Sequence, residues 1–418
     1  MGIKTFFNNV FSADTSRTDK SWISMREMLS GFFGGKSKSG ILVTEKTALF
    51  NSAVFACNRA ISESLAILPR HIFEGTGAGK VPVLDHPTVR VLTREANPIQ
   101  TSYKFFETVQ HHVISSGNGY AEIQRKRGAG DVVGMWPIPP GNVTPKVIID
   151  EKGDLEVIYL IRLNDGTEKI LRSDQMLHVP GIGYDGIQGY PLVEFMLNAV
   201  GLGASLEEYA SVFFKQGASQ GGYVTVPDDF QFDQVQNLKQ HYSVLNEGLD
   251  NAHRFKFLYD SVKFTPASIS PQDSQMIESR VFQIQEVARF HRMPLHKIQE
   301  VSKSPSYNSL EQFNVEFAND TLMPYVVNWE QELTRKIFLE KKDANKYIKF
   351  NINAILRGDL KARGMFLRTL VMSGIMSRNE ARALEDLPPI AGGDEAMIPA
   401  NMILLSERQD DAAQRVQD

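Results

Sequence analysis

Gln285-Glu-Val-Ala-Arg-Phe-His-Arg-Met-Pro294, then Ser302-Lys-Ser-Pro-Ser-Tyr-Asn-Ser309, then Leu310-Glu-Gln-Phe313 onward to Leu339: this stretch decides how the chain is read. Its first piece is an amphipathic helix. It stops at Met293-Pro294, because proline cannot continue a helix and restricts the residue before it. A polar Ser/Lys loop follows. The third piece keeps a helical pattern to Leu339 and is broken once, at Met323-Pro324. Pro324 has no amide hydrogen and its ring crowds the carbonyl of Asp320, so a bend is predicted there. A polar loop between two helices, the second of them kinked, is a poor frame for a catalytic pocket. It suits a lever that lines something large.

Upstream, Ile277, Val281, Ile284 and Ala288 line up on a helix over 273–291, with Phe282 and Phe290 off that stripe. A strand at Gly222–Pro227 leads into a helix carrying Val235, Leu238, Tyr242 and Leu245, and residues 249–271 read as strand and turn. From Gly119 to Pro180, short β-branched and aromatic runs alternate with turns. Asn164-Asp165-Gly166 tolerates positive φ and predicts a hairpin, so this section is a small antiparallel β-subdomain. Val54, Cys57, Ile61, Leu65 and Leu68 share one helical face, capped by Asn51 or Ser52 and ended by Pro69. Thr101 or Ser102 caps a second helix, Tyr103–Ser115. A helix from Pro191 to Gly217 contains Gly201 and Gly203, which predict a break or a close backbone approach. Residues 1–45 read as an arm and the C-terminus as a polar tail.

Composition narrows the function. The chain has 418 residues, 42% of them hydrophobic, which fits a core-forming protein. With 45 Lys+Arg and 49 Asp+Glu the formal charge is -4, against a simple DNA-coating protein. It still allows a protein that lets DNA pass without gripping it. The single cysteine, Cys57, excludes an internal disulfide, fits a reducing cytoplasm and reads as a buried apolar residue. No apolar run approaches the ~18 residues that span a bilayer, and no signal peptide is read. Met1-Gly2 resembles a myristoylation start, but Phe6 stands where Ser or Thr is required. A soluble protein made in the cytoplasm is expected.

Catalysis finds no anchor. Gly31-Phe-Phe-Gly-Gly-Lys36-Ser37 approaches a phosphate-binding loop, but Ser30 stands in place of its first glycine and no buried strand precedes it. Gly117-Asn-Gly119 and Gly201-Leu-Gly203 complete no dinucleotide fingerprint; the first turns helix into strand. His111 and His112 are adjacent and face apart, and His291 and His296 straddle Pro294, so no metal site is expected. His71, His86 and His178 read as structural groups, and the pairs Asp228-Asp229 and Asp410-Asp411 as a helix start and a solvated tail.

A set of motifs then recurs in one order. It runs Val54-Phe-Ala-Cys-Asn-Arg to Leu68-Pro69, His86-Pro87, Asn97-Pro98 with Thr101, Gly117-Asn-Gly-Tyr-Ala-Glu-Ile123, Trp136-Pro-Ile-Pro-Pro140 and Met176-Leu-His178. Gly189-Tyr-Pro-Leu192, Phe214-Lys-Gln-Gly-Ala218, Ile284 to Pro294, Tyr307-Asn-Ser-Leu-Glu-Gln312 and Leu322-Met-Pro324 follow. Over about residues 50–400 this order resembles the shorter portal proteins of long-tailed phages and prophages. The resemblance implies an α+β portal fold with an α/β wing, a two-helix stem, a small β-containing clip, a long kinked helix and a helical crown. It maps a flexible arm onto 1–45, the wing onto 46–230 with 310–375, and stem helices onto 231–247 and 273–291. The clip falls on 248–272, the channel loop on 293–309 and the crown on 376–418.

It further implies a ring, commonly of twelve copies, at the capsid's portal vertex, assembled in the host cytoplasm. Double-stranded DNA passes through it without sequence specificity. The large terminase, the major capsid protein or scaffold, and a head-completion adaptor are the other expected partners, with no membrane. A heterologous ring buries different patches of each subunit, which agrees with Phe282 and Phe290. Lys303, then Lys297, are the expected channel cations, with Ser302, Ser304, Tyr307 and Asn308 beside them. Pro324 is the kink, and Arg254, Lys256, Asp260 and Lys263 are the clip-surface charges. No catalytic, cofactor or metal residue is expected. The competing readings are a P-loop-like hydrolase using Lys36, Ser37 and a Walker-B-type Asp150 after Val147-Ile-Ile, and a minor head or adaptor protein.

Overall fold

The computed structural model describes residues 37, 43–76, 79–126, 130–149, 153–163, 165–183, 186–215, 222–225, 263–266, 273–298, 307–355, 360–385 and 387–395. The chain divides into two units, Met1–Asn351 and Ile352–Asp418. The division falls inside the 310–375 segment that the resemblance assigns to the wing.

The first unit opens with α1 (Glu45–Ala48), closed by a Thr44/Thr47 capping box. α2 (Ser52–Ile67) follows. Asn51 caps it by accepting the amide hydrogens of Ala53 and Val54 at 3.1 and 3.3 Å. Val54, Cys57, Ile61 and Leu65 are fully buried, as their spacing predicts. Burial pushes the Cys57 thiol up to about 12, so it stays protonated and inert. β1 (Arg70–Thr76) and β2 (Gly79–Pro82) form a hairpin. After α3 (Thr88–Thr93), β3 (Glu95–Asn97) and β4 (Gln100–Thr101) lead into α4 (Ser102–Ser116). Thr101 caps α4, and Gly117 at φ 75 ends it in the left-handed region. α2 and α4 pack against each other.

Six strands follow: β5 (Asn118–Arg125), β6 (Val132–Ile138), β7 (Val143–Ile149), β8 (Leu155–Arg162), β9 (Glu168–Leu171) and β10 (Met176–Pro180). They form two three-stranded sheets, ordered β10-β5-β6 and β7-β8-β9. Tyr120, Val143, Tyr159, Ile161, Leu171 and Met176 pack into one buried cluster drawn from both sheets. The Asp165-Gly166 hairpin forms as predicted, with Asp165 Oδ1 accepting the Thr167 amide hydrogen at 2.9 Å.

α5 (Leu192–Phe195) and α6 (Leu197–Lys215) are separated at Met196. The break expected near Gly201 or Gly203 is therefore displaced, and α6 runs through both glycines. Gly203 serves the other expectation, close approach, since a Cβ there would lie 3.3 Å from Asn51 Nδ2. β11 (Gly222–Thr225) pairs antiparallel with β12 (Lys263–Pro266), joining a strand assigned to the wing to one assigned to the clip. The helix expected over 231–247 lies outside the described residues.

α7 (Asp273–Phe290), α8 (Tyr307–Glu316), a π-helical turn (Phe317–Leu322), α9 (Met323–Ile337) and β13 (Lys346–Phe350) complete the unit. β13 returns to pair with β1, giving the order β13-β1-β2. The core stripe of α9 is Val326, Trp329, Leu333 and Ile337. Trp329 donates to Gln110 Oε1 on α4 at 2.8 Å, and Glu330 accepts the Phe350 amide hydrogen at 2.8 Å. Among the described residues every strand pairing is antiparallel, so helices and sheets are combined as α+β.

The second unit contains α10 (Leu360–Met372) and α11 (Arg378–Leu384). Ser377 and Glu380 form a capping box on α11. Asn379 folds the following loop back: its Oδ1 accepts from the Ile390 amide at 2.8 Å and its Nδ2 donates to Ile390 O at 3.0 Å.

Candidate functional site

The stretch that decided the sequence reading is built around the end of α7. Arg292 takes φ 50, the one positive φ outside glycine among the described residues. This left-handed residue closes the helix, with the Met293 amide reaching back to Ala288 O at 2.8 Å. Pro294 follows because the helix has already ended. The segment then tightens into a 3-10 turn, Leu295–Ile298.

Opposite stands the π-helical turn. The Met323 amide donates to Ala318 O, five residues back rather than four. Pro324 explains the wider winding. It has no hydrogen to give Asp320 O, and one extra residue in the turn makes room for its ring. The bend expected at Pro324 is thus realised as a change of winding in the turn just before it.

The two pieces are clamped together. Thr321 Oγ1 donates to Arg292 O, satisfying a carbonyl that the end of α7 leaves free. Lys297 Nζ lies 5.0 Å from the centroid of the buried Phe317 ring. Burial holds the Lys297 ammonium below the usual lysine range. His296 stacks on Phe313 with centroids 5.3 Å apart. Residues 293–298, the first part of the expected channel loop, are therefore an anchor packed on the helix behind it.

The sequence-predicted site residues are placed unevenly. Lys297 is half-buried on Phe317. Tyr307 and Asn308 open α8, and Pro324 lies in the first turn of α9. Ser302, Lys303, Ser304, Arg254, Lys256 and Asp260 lie outside the described residues. Lys263 begins β12 opposite Thr225. Sequence reasoning missed Thr321 and Arg292. The only signal for Arg292 is the proline two residues on, and Thr321 looks like an ordinary helical threonine.

It also missed a junction that gathers three of the quoted motifs. Gly117-Asn118, His178 and Gly189 meet in the first unit. Asn118 Oδ1 accepts the Gly189 amide hydrogen at 2.8 Å, and Asn118 Nδ2 donates to Gly189 O at 2.9 Å. His178 Nε2 lies 3.0 Å from the same Oδ1, so it is the protonated nitrogen. Its Nδ1 accepts from Tyr159 Oη at 3.3 Å, and the ring stacks on Tyr120. Burial, with Lys336 and Arg335 nearby, pushes the His178 pKa down to about 3.

Among the described residues, His86, Asp131 and Asp343 are the side chains of metal-binding type that come within 4.8 Å of one another. Their hydrogen bonding argues against an ion. His86 Nδ1 accepts the Thr88 amide hydrogen at 3.2 Å, which puts the ring proton on Nε2, the nitrogen facing Asp343 at 3.8 Å. A protonated nitrogen has no lone pair for a metal. Lys346 already pairs with Asp343 at 2.6 Å, and Lys342 lies 3.4 Å from Asp131. Adding zinc or EDTA is expected to leave Tm unchanged to within about one degree; a zinc-dependent rise of several degrees would refute this assignment.

The hydrolase reading loses its second half here. Val147-Ile148-Ile149 ends β7 in an antiparallel hairpin, with Ile149 paired to Leu155 and 55% exposed. A Walker-B aspartate needs the end of a buried parallel strand. Lys36 and Asp150 lie outside the described residues. No helix among the described residues is long and apolar enough to cross a membrane.

Comparison with known proteins agrees with the order of motifs. The profile of the phage portal protein family matches residues 52–386. The portal protein of Enterobacteria phage HK97 is 28% identical over 381 residues, 90% of this chain and 87% of that protein. A probable portal protein of Streptomyces phage phiC31 is 28% identical over 377 residues, covering 88% and 82%. A chain in the neck of a native gene transfer agent particle, computed with C12 symmetry, superposes with a TM-score of 0.56 at 19% identity. That superposition covers 81% of this chain and 91% of the other.

Proposed function

Because the chain belongs to the phage portal protein family, we propose that twelve copies close into a ring at one capsid vertex, with double-stranded DNA entering and leaving through the bore. The observation that carries the channel reading is the clamp between Arg292 and Thr321. It fixes one end of the polar segment 299–306, and the helix at the other end leads into the turn rewound ahead of Pro324. A change in that winding shifts the base of the loop as one piece. Lys303 supplies a positive ring that centres the duplex, flanked by Ser302, Ser304, Tyr307 and Asn308. Lys297, packed on Phe317, is the lesser lining cation and anchors the loop. The overall charge of -4 leaves the duplex free to slide, since each added phosphate contact strengthens retention.

Uncovered apolar side chains support the ring. Phe282 and Phe290 on α7 are 49% and 39% exposed, and Leu202 and Val212 on the packed neighbour α6 are likewise exposed. Large apolar side chains left bare on two long helices mark surfaces that other copies cover. The stem comprises 231–247 with α7, and the clip comprises 248–272. Arg254, Lys256, Asp260 and Lys263 face the large terminase and later the head-completion adaptor. The wing meets the major capsid protein or scaffold, and the ATPase is on another chain.

Negative-stain microscopy of the purified protein is expected to show closed rings with a central hole; a compact monomer that never assembles refutes the reading. Lys303→Glu, reversing one charge per subunit at one height of the bore, is expected to slow DNA packaging roughly tenfold. An unchanged rate and an unchanged packaged length would remove the 293–309 loop from the channel.

A further inference from the structure

The sheet β13-β1-β2 turns one face to the core: Ile72, Ile348 and Phe350 alternate inward and are 2%, 1% and 7% exposed. The register places His71 opposite Lys349, Phe73 between Tyr347 and Pro82, and Gly75 opposite Lys80, all on the other face. His71, Lys80, Pro82 and Lys349 are exposed there, with Phe73 and Tyr347 half-buried between them. The rings form a continuous platform. Phe73 and Tyr347 have centroids 6.0 Å apart and planes inclined at 30°, and His71 lies 6.2 Å from Phe73. A Cβ on Gly75 would lie 3.9 Å from Tyr347 Cε1, so the tyrosine ring extends over that bare glycine. Lys80 Nζ stands 4.9 Å from the Phe73 centroid.

The edges of this sheet do not suit an added peptide strand. On β13 the Ile348 amide already donates to Thr334 Oγ1 at 3.1 Å and the Phe350 amide to Glu330 Oε1 at 2.8 Å. β2 ends in Pro82, which has no amide hydrogen. A ligand must therefore read the face. Among the strand residues on that face the charged groups are two cations, Lys80 and Lys349. Lys349 pairs with Glu330, but that carboxylate is 7% exposed while the lysine side chain stays 51% exposed. Rings call for flat π faces and ammonium groups for anions, and a nucleotide supplies both. A neutral peptide would leave the cations unmatched. In a duplex the bases already stack on one another, so the strand must be single. We propose that this face binds single-stranded nucleic acid without sequence preference, bases stacking on Phe73 and Tyr347 and phosphates pairing with Lys80 and Lys349. This does not rest on the channel reading, which concerns a duplex in the bore.

The test is fluorescence anisotropy of a labelled fifteen-residue oligothymidylate against the full chain at low salt. Saturable binding is expected, weakened about tenfold by Phe73→Leu and by Tyr347→Leu. Lys80→Gln should flatten the dependence of log K on log salt by about 0.7, whereas Lys146→Gln, on β7 of another sheet, should leave it unchanged. Absence of saturable binding overturns the proposal, as does an affinity that neither ring variant alters. An equal flattening by Lys146→Gln would reduce the effect to diffuse charge. A labelled duplex weakened equally by Phe73→Leu would exclude base stacking. Urea midpoints check that the variants are folded, and Lys80→Gln leaves the rings in place if one is not. Loss of assembly in Phe73→Leu, seen by size-exclusion chromatography, would assign the face to a neighbouring copy and overturn the proposal.

Discussion

Gly117→Ala is expected to destabilise the first unit by roughly 4 kcal/mol or more, read as a lower urea midpoint. Gly117 sits at φ 75, where a side chain costs about 1–2 kcal/mol. A Cβ there would lie 2.3 Å from the Tyr190 carbonyl carbon and 2.5 Å from Gly189 O. Both are backbone atoms, so no rotamer change relieves the clash. The segments must separate, breaking the Gly181 amide bond to Gly117 O at 2.7 Å and straining both Asn118–Gly189 bonds. Gly186 is the control. It has φ 71 but nothing within 4 Å of an added Cβ, so Gly186→Ala should cost only the backbone strain. Equal losses in the two variants would show that the close packing around Gly117 contributes nothing.

Acid should weaken the same junction. His178 is buried and neutral, its Nε2 hydrogen given to Asn118 and its Nδ1 lone pair taken by Tyr159. Burial first, then the charges of Lys336 and Arg335, bring its pKa down to about 3 from the ordinary 6.5. Between those values the unfolded chain binds a proton that the folded chain refuses. The stability associated with the neutral ring is therefore complete above pH 6.5 and is lost progressively as the pH falls toward 3. The slope approaches about 1.4 kcal/mol per pH unit, about 5 kcal/mol in all. His112, lowered by burial to about 4, adds a smaller loss over an overlapping range. His178→Gln removes the larger contribution, so its stability should fall less steeply between pH 6 and 4. Parallel curves for variant and parent would refute the buried neutral tautomer.

The elements themselves were largely legible. The apolar spacing from Val54 to Leu65, the caps at Asn51 and Thr101 and the stop at Pro69 are written in residues no more than four apart. So are the hairpin at Asp165-Gly166 and the end of α7 at Met293-Pro294. The portal resemblance was carried by the order of short motifs. Why those motifs contain those residues was not legible. Asn118 meets Gly189 across 71 positions, and Thr321 meets Arg292 across 29. The pairing of β1 with β13 joins nearly opposite ends of the first unit. The break near Gly201 was misplaced because glycine removes helix preference without dictating where the chain turns; α6 tolerates both glycines, and the interruption falls at Met196.

Local stereochemistry decided what each segment of this chain can be. Periodicity selects helix or strand, proline and glycine end them, and the near balance of charge argues against a simple DNA-coating protein. Tertiary packing decided how those segments act together. Only when two backbones meet does Gly117 become irreplaceable, does His178 acquire one tautomer, and does the strain at Pro324 pass into a π-helical turn whose threonine holds Arg292. These outcomes depend on which surfaces compete for the same space and the same hydrogen-bond partners, and residue spacing carries no information about that competition.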